Sequence, residues 1–87
     1  MGCTRSEFLA WLPGAVGGAS YDVEGDSIRI RYQTGEVQIR VAQKADRKLG
    51  LLLVPVLVVT IRFSGIDPPE RQEFLRHFDL FTRRGGG

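Results

Sequence analysis

From residue 27 to residue 41 the chain changes polarity at nearly every step. Ile28, Ile30 and Tyr32 alternate with Arg29, Arg31 and Gln33, and past Thr34-Gly35 Val37, Ile39 and Val41 alternate with Gln38 and Arg40. A period of two belongs to a β-strand with one buried and one wet face. Two such runs joined by a short turn predict an antiparallel pair, so another part of the chain must cover the apolar face. Taking Thr34-Gly35 as a two-residue turn places Arg31 opposite Gln38 and Arg29 opposite Arg40. Like charges directly opposite cost roughly 0.2–1 kcal/mol, which marks the wet face as a candidate site.

The flanking segments supply the cover. Thr4-Arg5-Ser6-Glu7 has the form of a capping box. Phe8, Leu9, Trp11 and Leu12 follow at helical spacing, and Pro13-Gly14 should stop this helix after about two turns. Residues 14–19, GAVGGA, read as a connector. Tyr21-Asp22-Val23 reads as a short strand and Glu24-Gly25-Asp26 as a turn with Gly25 free to take positive φ. Residues 43–50, QKADRKLG, read as a polar loop with three bases, and residues 51–63 as a long strand. Pro55 cannot donate to a ladder, so it marks an edge, a bulge or a break in that strand. Leu57, Val59, Ile61 and Phe63 point one way, and Val58, Thr60 and Arg62 point the other. Asp67-Pro68-Pro69-Glu70 is a strong helix start. The helix it opens should run to about His77, with Phe74, Leu75 and Phe78 on its apolar side. The expected fold is α+β: an antiparallel meander of three or four strands, with a short N-terminal helix and a C-terminal helix packed on one face. Residues 1–82 form a single domain and residues 83–87 a flexible basic, glycine-rich tail.

At 87 residues, such a domain buries roughly 60–65% of its unfolded surface, which leaves little room for both a cofactor and a complete active site. Neither catalysis nor a cofactor is expected. Cys3 and His77 are the only residues of their kinds, so no disulfide and no thiolate zinc site forms within one chain. His77 is expected to complement the C-terminal end of its helix. GAVGGA follows a helix and lacks the Lys of a phosphate-binding loop. Asp22 and Asp26 flank a turn and read as solvated. The apolar stretch of residues 49–61 contains Pro55 and falls short of the about 20 residues a spanning helix needs, so no membrane partner is expected. Met1-Gly2-Cys3-Thr4-Arg5-Ser6 also fits an N-terminal acylation pattern with Cys3 placed for a second chain; the capping box accounts for Thr4 without it. A single Cys and no secretory pattern fit a cytoplasmic setting.

Charge is unevenly placed. Residues 1–27 hold one base and four acids, whereas residues 28–48 hold six bases and two acids. Ten of the twelve bases are Arg, which suits bidentate oxyanion contacts and equally follows from a GC-rich genome. Arg29, Arg31 and Arg40 on the wet face, Arg62 on the long strand, and Lys44, Arg47 and Lys48 in the adjoining loop would form one basic surface. Arg83 and Arg84 could join it from the tail. Such a surface suits a protein or polyanionic partner. No aromatic lies on the polar phase of these strands to stack on bases, so nucleic acid is not favoured. The chain is expected to be a monomer or a homodimer; a homodimer would be the natural way to bury the alternate apolar face of Leu52, Val54, Val56 and Val58 if helices do not cover it.

The terminal Arg83-Arg84-Gly85-Gly86-Gly87 resembles the arginine-flanked Gly-Gly end of ubiquitin-like modifiers and sulfur carriers. The resemblance implies a carrier activated at its terminal glycine. The end here has three glycines, and the order of elements departs from a β-grasp, whose main helix lies between two hairpins. The primary expectation is a small non-catalytic binding module whose basic sheet face docks its partner; the carrier is the alternative.

Overall fold

The computed structural model describes residues 2–86, with side chains through residue 82. Helix α1 (Arg5–Ala15) is followed by strands β1 (Tyr21–Glu24), β2 (Ser27–Tyr32), β3 (Gly35–Leu49) and β4 (Leu52–Ser64), and then by helix α2 (Pro68–Gly86). The strands form one antiparallel sheet in the order β1-β2-β3-β4. This is the expected α+β meander, in its four-stranded form.

The capping box forms. The Glu7 amide donates to Thr4 Oγ1 at 3.2 Å, and the Thr4 amide donates to Glu7 Oε1 at 2.9 Å. Pro13 does not stop α1, which continues to Ala15. Proline removes only its own N–H, while burial of Phe8, Leu12 and Ala15 holds the turns on either side. The helix ends where Gly17 and Gly18 take positive φ. Helix α2 opens as expected, with the Asp67 carbonyl accepting from the Glu70 and Arg71 amides. It passes His77 and reaches Gly86, because Phe78 and Thr82 remain buried beyond that point. The side chains of the tail residues 83–87 lie outside the described residues.

Both helices cover one face of the sheet. Phe8 and Leu12 meet Ile28, Ile30, Val37, Ile39 and Leu57 in the core. Phe74 contacts Tyr32 edge-on at 5.2 Å between ring centroids and Phe63 at 5.9 Å, and stacks on Phe78 at 5.8 Å. Phe78 also reaches Phe8 at 5.9 Å, which joins the two helices.

The register differs from the expected one. Tyr32 pairs with Gly35, so the turn is Gln33-Thr34, and positive φ falls on Gln33 rather than on a glycine. Gly35 serves another purpose. A Cβ there would lie 2.2 Å from the Ser64 carbonyl oxygen, so glycine permits the close approach of the end of β4. Arg29 therefore faces Gln38, Arg31 faces Glu36 and Arg40 faces Ser27. The facing pair of arginines does not exist.

The expected loop at residues 43–50 is also strand. β3 continues to Leu49 and turns at Gly50-Leu51 into β4. Between the pairs Lys44–Val56 and Arg47–Val54, Ala45 and Asp46 oppose only Pro55. This is a β-bulge with its extra residue on β3, and Pro55 lies opposite it on the edge strand β4, where the ladder is already interrupted.

Candidate partner-docking surface

With helices on one side only, the other face of the sheet is open. Three rows of side chains cross it. The first runs Glu24, Ser27, Arg40 and Thr60, the second Asp22, Arg29, Gln38 and Arg62, and the third Arg31, Glu36 and Ser64. The strand twist makes the first two rows the walls of a concavity of about 710 Å³, lined by Asp22, Glu24, Arg29, Arg40, Thr60 and Arg62 among others.

The surface is mixed in charge rather than basic throughout. Glu36 accepts from Arg29 Nε at 3.0 Å and from Gln38 Nε2 at 3.1 Å. Asp22 stands directly across from Arg29. Among the described residues Arg31, Arg40 and Arg62 make no ion pair. The acids of β1 reach this face because β1 lies next to β2. The strand at Tyr21-Asp22-Val23 and the turn at Glu24-Gly25-Asp26 expected from the sequence place them there.

Of the nine bases read from the sequence, the seven whose side chains are described do not form one patch. Arg29, Arg40 and Arg62 surround the concavity, with Arg31 one row away. Lys44, Arg47 and Lys48 lie beyond it on the β3–β4 hairpin, where every residue from 42 to 53 is exposed. The side chains of Arg83 and Arg84 lie outside the described residues. Strand alternation and the bulge put Lys44 and Arg47 on the open face of that hairpin, and Lys48 on the opposite face, paired with Leu53. Leu52 and Val58, on the open face, are 69% and 44% exposed. The alternate face of Leu52, Val54, Val56 and Val58 is thus not under the helices.

Asp26 and His77 have structural partners. Asp26 is held by Arg5 Nε at 2.9 Å, and the same guanidinium donates to the Gly25 carbonyl. His77 does complement a helix C-terminus, but that of α1: its Nε2 donates to the Gly14 carbonyl at 2.9 Å. Cys3 is 1% exposed, and burial pushes its thiol above the ordinary value. Its sulfur is therefore not presented to an acyl donor. Among the described residues no three of His, Cys, Asp and Glu gather at one point, and no helix is long and apolar enough to cross a membrane.

No family model matches this chain, and no curated protein or solved structure is significantly similar to it.

Proposed function

We propose that the chain is a non-catalytic binding module that docks a protein partner on its open sheet face. The observation that carries this reading is the interleaving of acids with the arginines of the same face: Asp22 lies across from Arg29, Glu36 lies across from Arg31 and is ion-paired with Arg29, and Glu24 lies in the row of Arg40. A polyanion is favoured by an unbroken positive field, whereas interleaved signs fit a protein surface that carries both. Arg40 and Arg62 hold no ion pair among the described residues, so they are free to meet carboxylates of the partner. The helices leave four strands of exposed, rigidly spaced side chains. Function on a rigid scaffold needs no moving part.

The test is photo-crosslinking in the cells of origin. A photoreactive residue replacing Gln38 should give one discrete protein adduct. The adduct should vanish in the Arg40→Glu, Arg62→Glu double variant. A photoreactive residue replacing Arg76, which is exposed on α2, should give none. A nucleic-acid adduct at Gln38, or equal labelling from both positions, would sink the reading. The terminal-glycine carrier has its own discriminating experiment. Deletion of Gly86 and Gly87 should leave the Gln38 adduct intact if the sheet face is the functional site.

A further inference from the structure

The outer part of the β3–β4 hairpin belongs to no core. Leu51, at the turn, is fully exposed, and Leu52, Leu53 and Leu49 are 69%, 67% and 51% exposed. Four leucines at the tip of one hairpin form an apolar patch that a protein surface does not carry without use. Their placement narrows that use. Leu49 and Leu52 pair on the open face, Leu53 lies on the other face with Lys48, and Leu51 caps the end. A partner docking on one face would leave leucines on the other in water. The tip is apolar all round.

The bases are arranged in the same way. Lys48 stands behind the leucines on one face, and Arg47 and Lys44 stand behind them on the other. At about 3.3 Å per residue, Lys48, paired with Leu53, lies roughly 7 Å behind Leu51. That matches the about 5–10 Å to which an interfacial element sinks its apolar part below the headgroups. Lysine and arginine at this depth keep their charge among anionic headgroups while their stems stay apolar.

We propose that this hairpin tip inserts into the interfacial layer of an anionic bilayer, with Leu49, Leu51, Leu52 and Leu53 below the headgroups and Lys44, Arg47 and Lys48 among them. This does not require a spanning segment, so the shortness of the apolar stretch is no obstacle. The two strands bond to each other up to Leu49–Leu52, and the N–H and C=O groups on the outer edges of the ribbon are met by the water of the interfacial layer, which the hydrocarbon core would not supply. Two other occupants fit less well. A second copy pairing arm to arm would bring six bases together and would leave Leu51, beyond the strand ends, uncovered. Duplex DNA takes one or two apolar wedges between base steps, not four leucines around a tip. The proposal is independent of the sheet face, which lies at the other end of the same strands.

The experiment uses the full chain carrying Leu51→Cys, labelled with the environment-sensitive fluorophore NBD. Cys3 is buried, so the label goes to the tip. The probe is a phosphatidylcholine vesicle with about 30% phosphatidylserine, beside pure phosphatidylcholine vesicles, a short DNA duplex and the protein alone in sedimentation. The expected result is brighter, blue-shifted emission with the anionic vesicles only, quenched by shallow spin-labelled lipid. In vesicle sedimentation of the unlabelled chain, Leu51→Glu with Leu52→Glu should weaken binding at least about tenfold. Lys44→Gln, Arg47→Gln and Lys48→Gln should each weaken it roughly fivefold. All these positions are exposed, and unchanged circular dichroism confirms the fold. Four results would overturn the proposal: no vesicle binding; binding with unchanged tip fluorescence; tighter binding to the duplex; or self-association that the leucine substitutions abolish.

Discussion

Near the helices β3 buries Val37, Ile39 and Val41 to within a few per cent, whereas farther along the same strand residues 42–49 are all exposed. The backbone pairing is continuous through both regions apart from one bulge. What changes is the third dimension. The root of the hairpin is one layer of a two-layer domain; the arm is a ribbon with water on both faces. The comparison teaches that hydrogen-bonded strand and folded core are separate properties. An isolated two-stranded ribbon is marginal in water, so the arm depends on its root.

The sharpest way to probe the contrast is to remove core at the root. Phe8→Ala should cost about 3–5 kcal/mol, read as a lowered urea midpoint, because Phe8 is fully buried against Phe78. Gly35→Ala should cost about 1–3 kcal/mol, typical of overpacking, since the added Cβ meets backbone of the β4 end. Thr4→Ala should cost about 1 kcal/mol through loss of the cap. A subtler check uses pH. Burial raises the Cys3 thiol above its ordinary 9.0. As pH climbs past that value, the unfolded chain loses the proton first, so stability falls. Alkylation of native Cys3 should accordingly be much slower than of the urea-unfolded chain. At the other extreme, Leu52→Thr on the arm should change stability by no more than about 0.5 kcal/mol. Hydrogen exchange should show arm amides opening far more readily than those of residues 37–41. A large loss of stability from Leu52→Thr would erase the distinction between root and arm.

Where one face meets the core, the sequence displays the fold openly. The alternation of residues 27–41, the capping box at Thr4 and the Asp67-Pro68-Pro69-Glu70 start each carry their own physical signature. The arm escaped notice for the converse reason: with no buried face, Lys44 to Leu49 have no period of two, and a run of polar residues looks like a loop. The register departs from the expected one because Gly35 answers to the close approach of Ser64, distant in sequence, and not to the turn. The arginines of the candidate surface were legible from strand parity alone. Their acidic neighbours follow from the same meander, since a 21–32 hairpin sets Asp22 beside Arg29 and the next strand brings Glu36 to the same face. Pro55 was read as edge, bulge or break, and it sits opposite a bulge, on an edge strand.

Gln43 gives the boundary between the two regions a mechanical meaning. Its carbonyl oxygen accepts from the Arg5 amide at 2.8 Å, and its amide donates to the Val56 carbonyl at 2.9 Å. One side chain thus clips both the opening turn of α1 and the opposite strand at the point where the ribbon leaves the domain. In engineering terms the arm is a lever and Gln43 its fulcrum. A load on the leucine tip reaches the first helical turn directly, bypassing the packed layer between them.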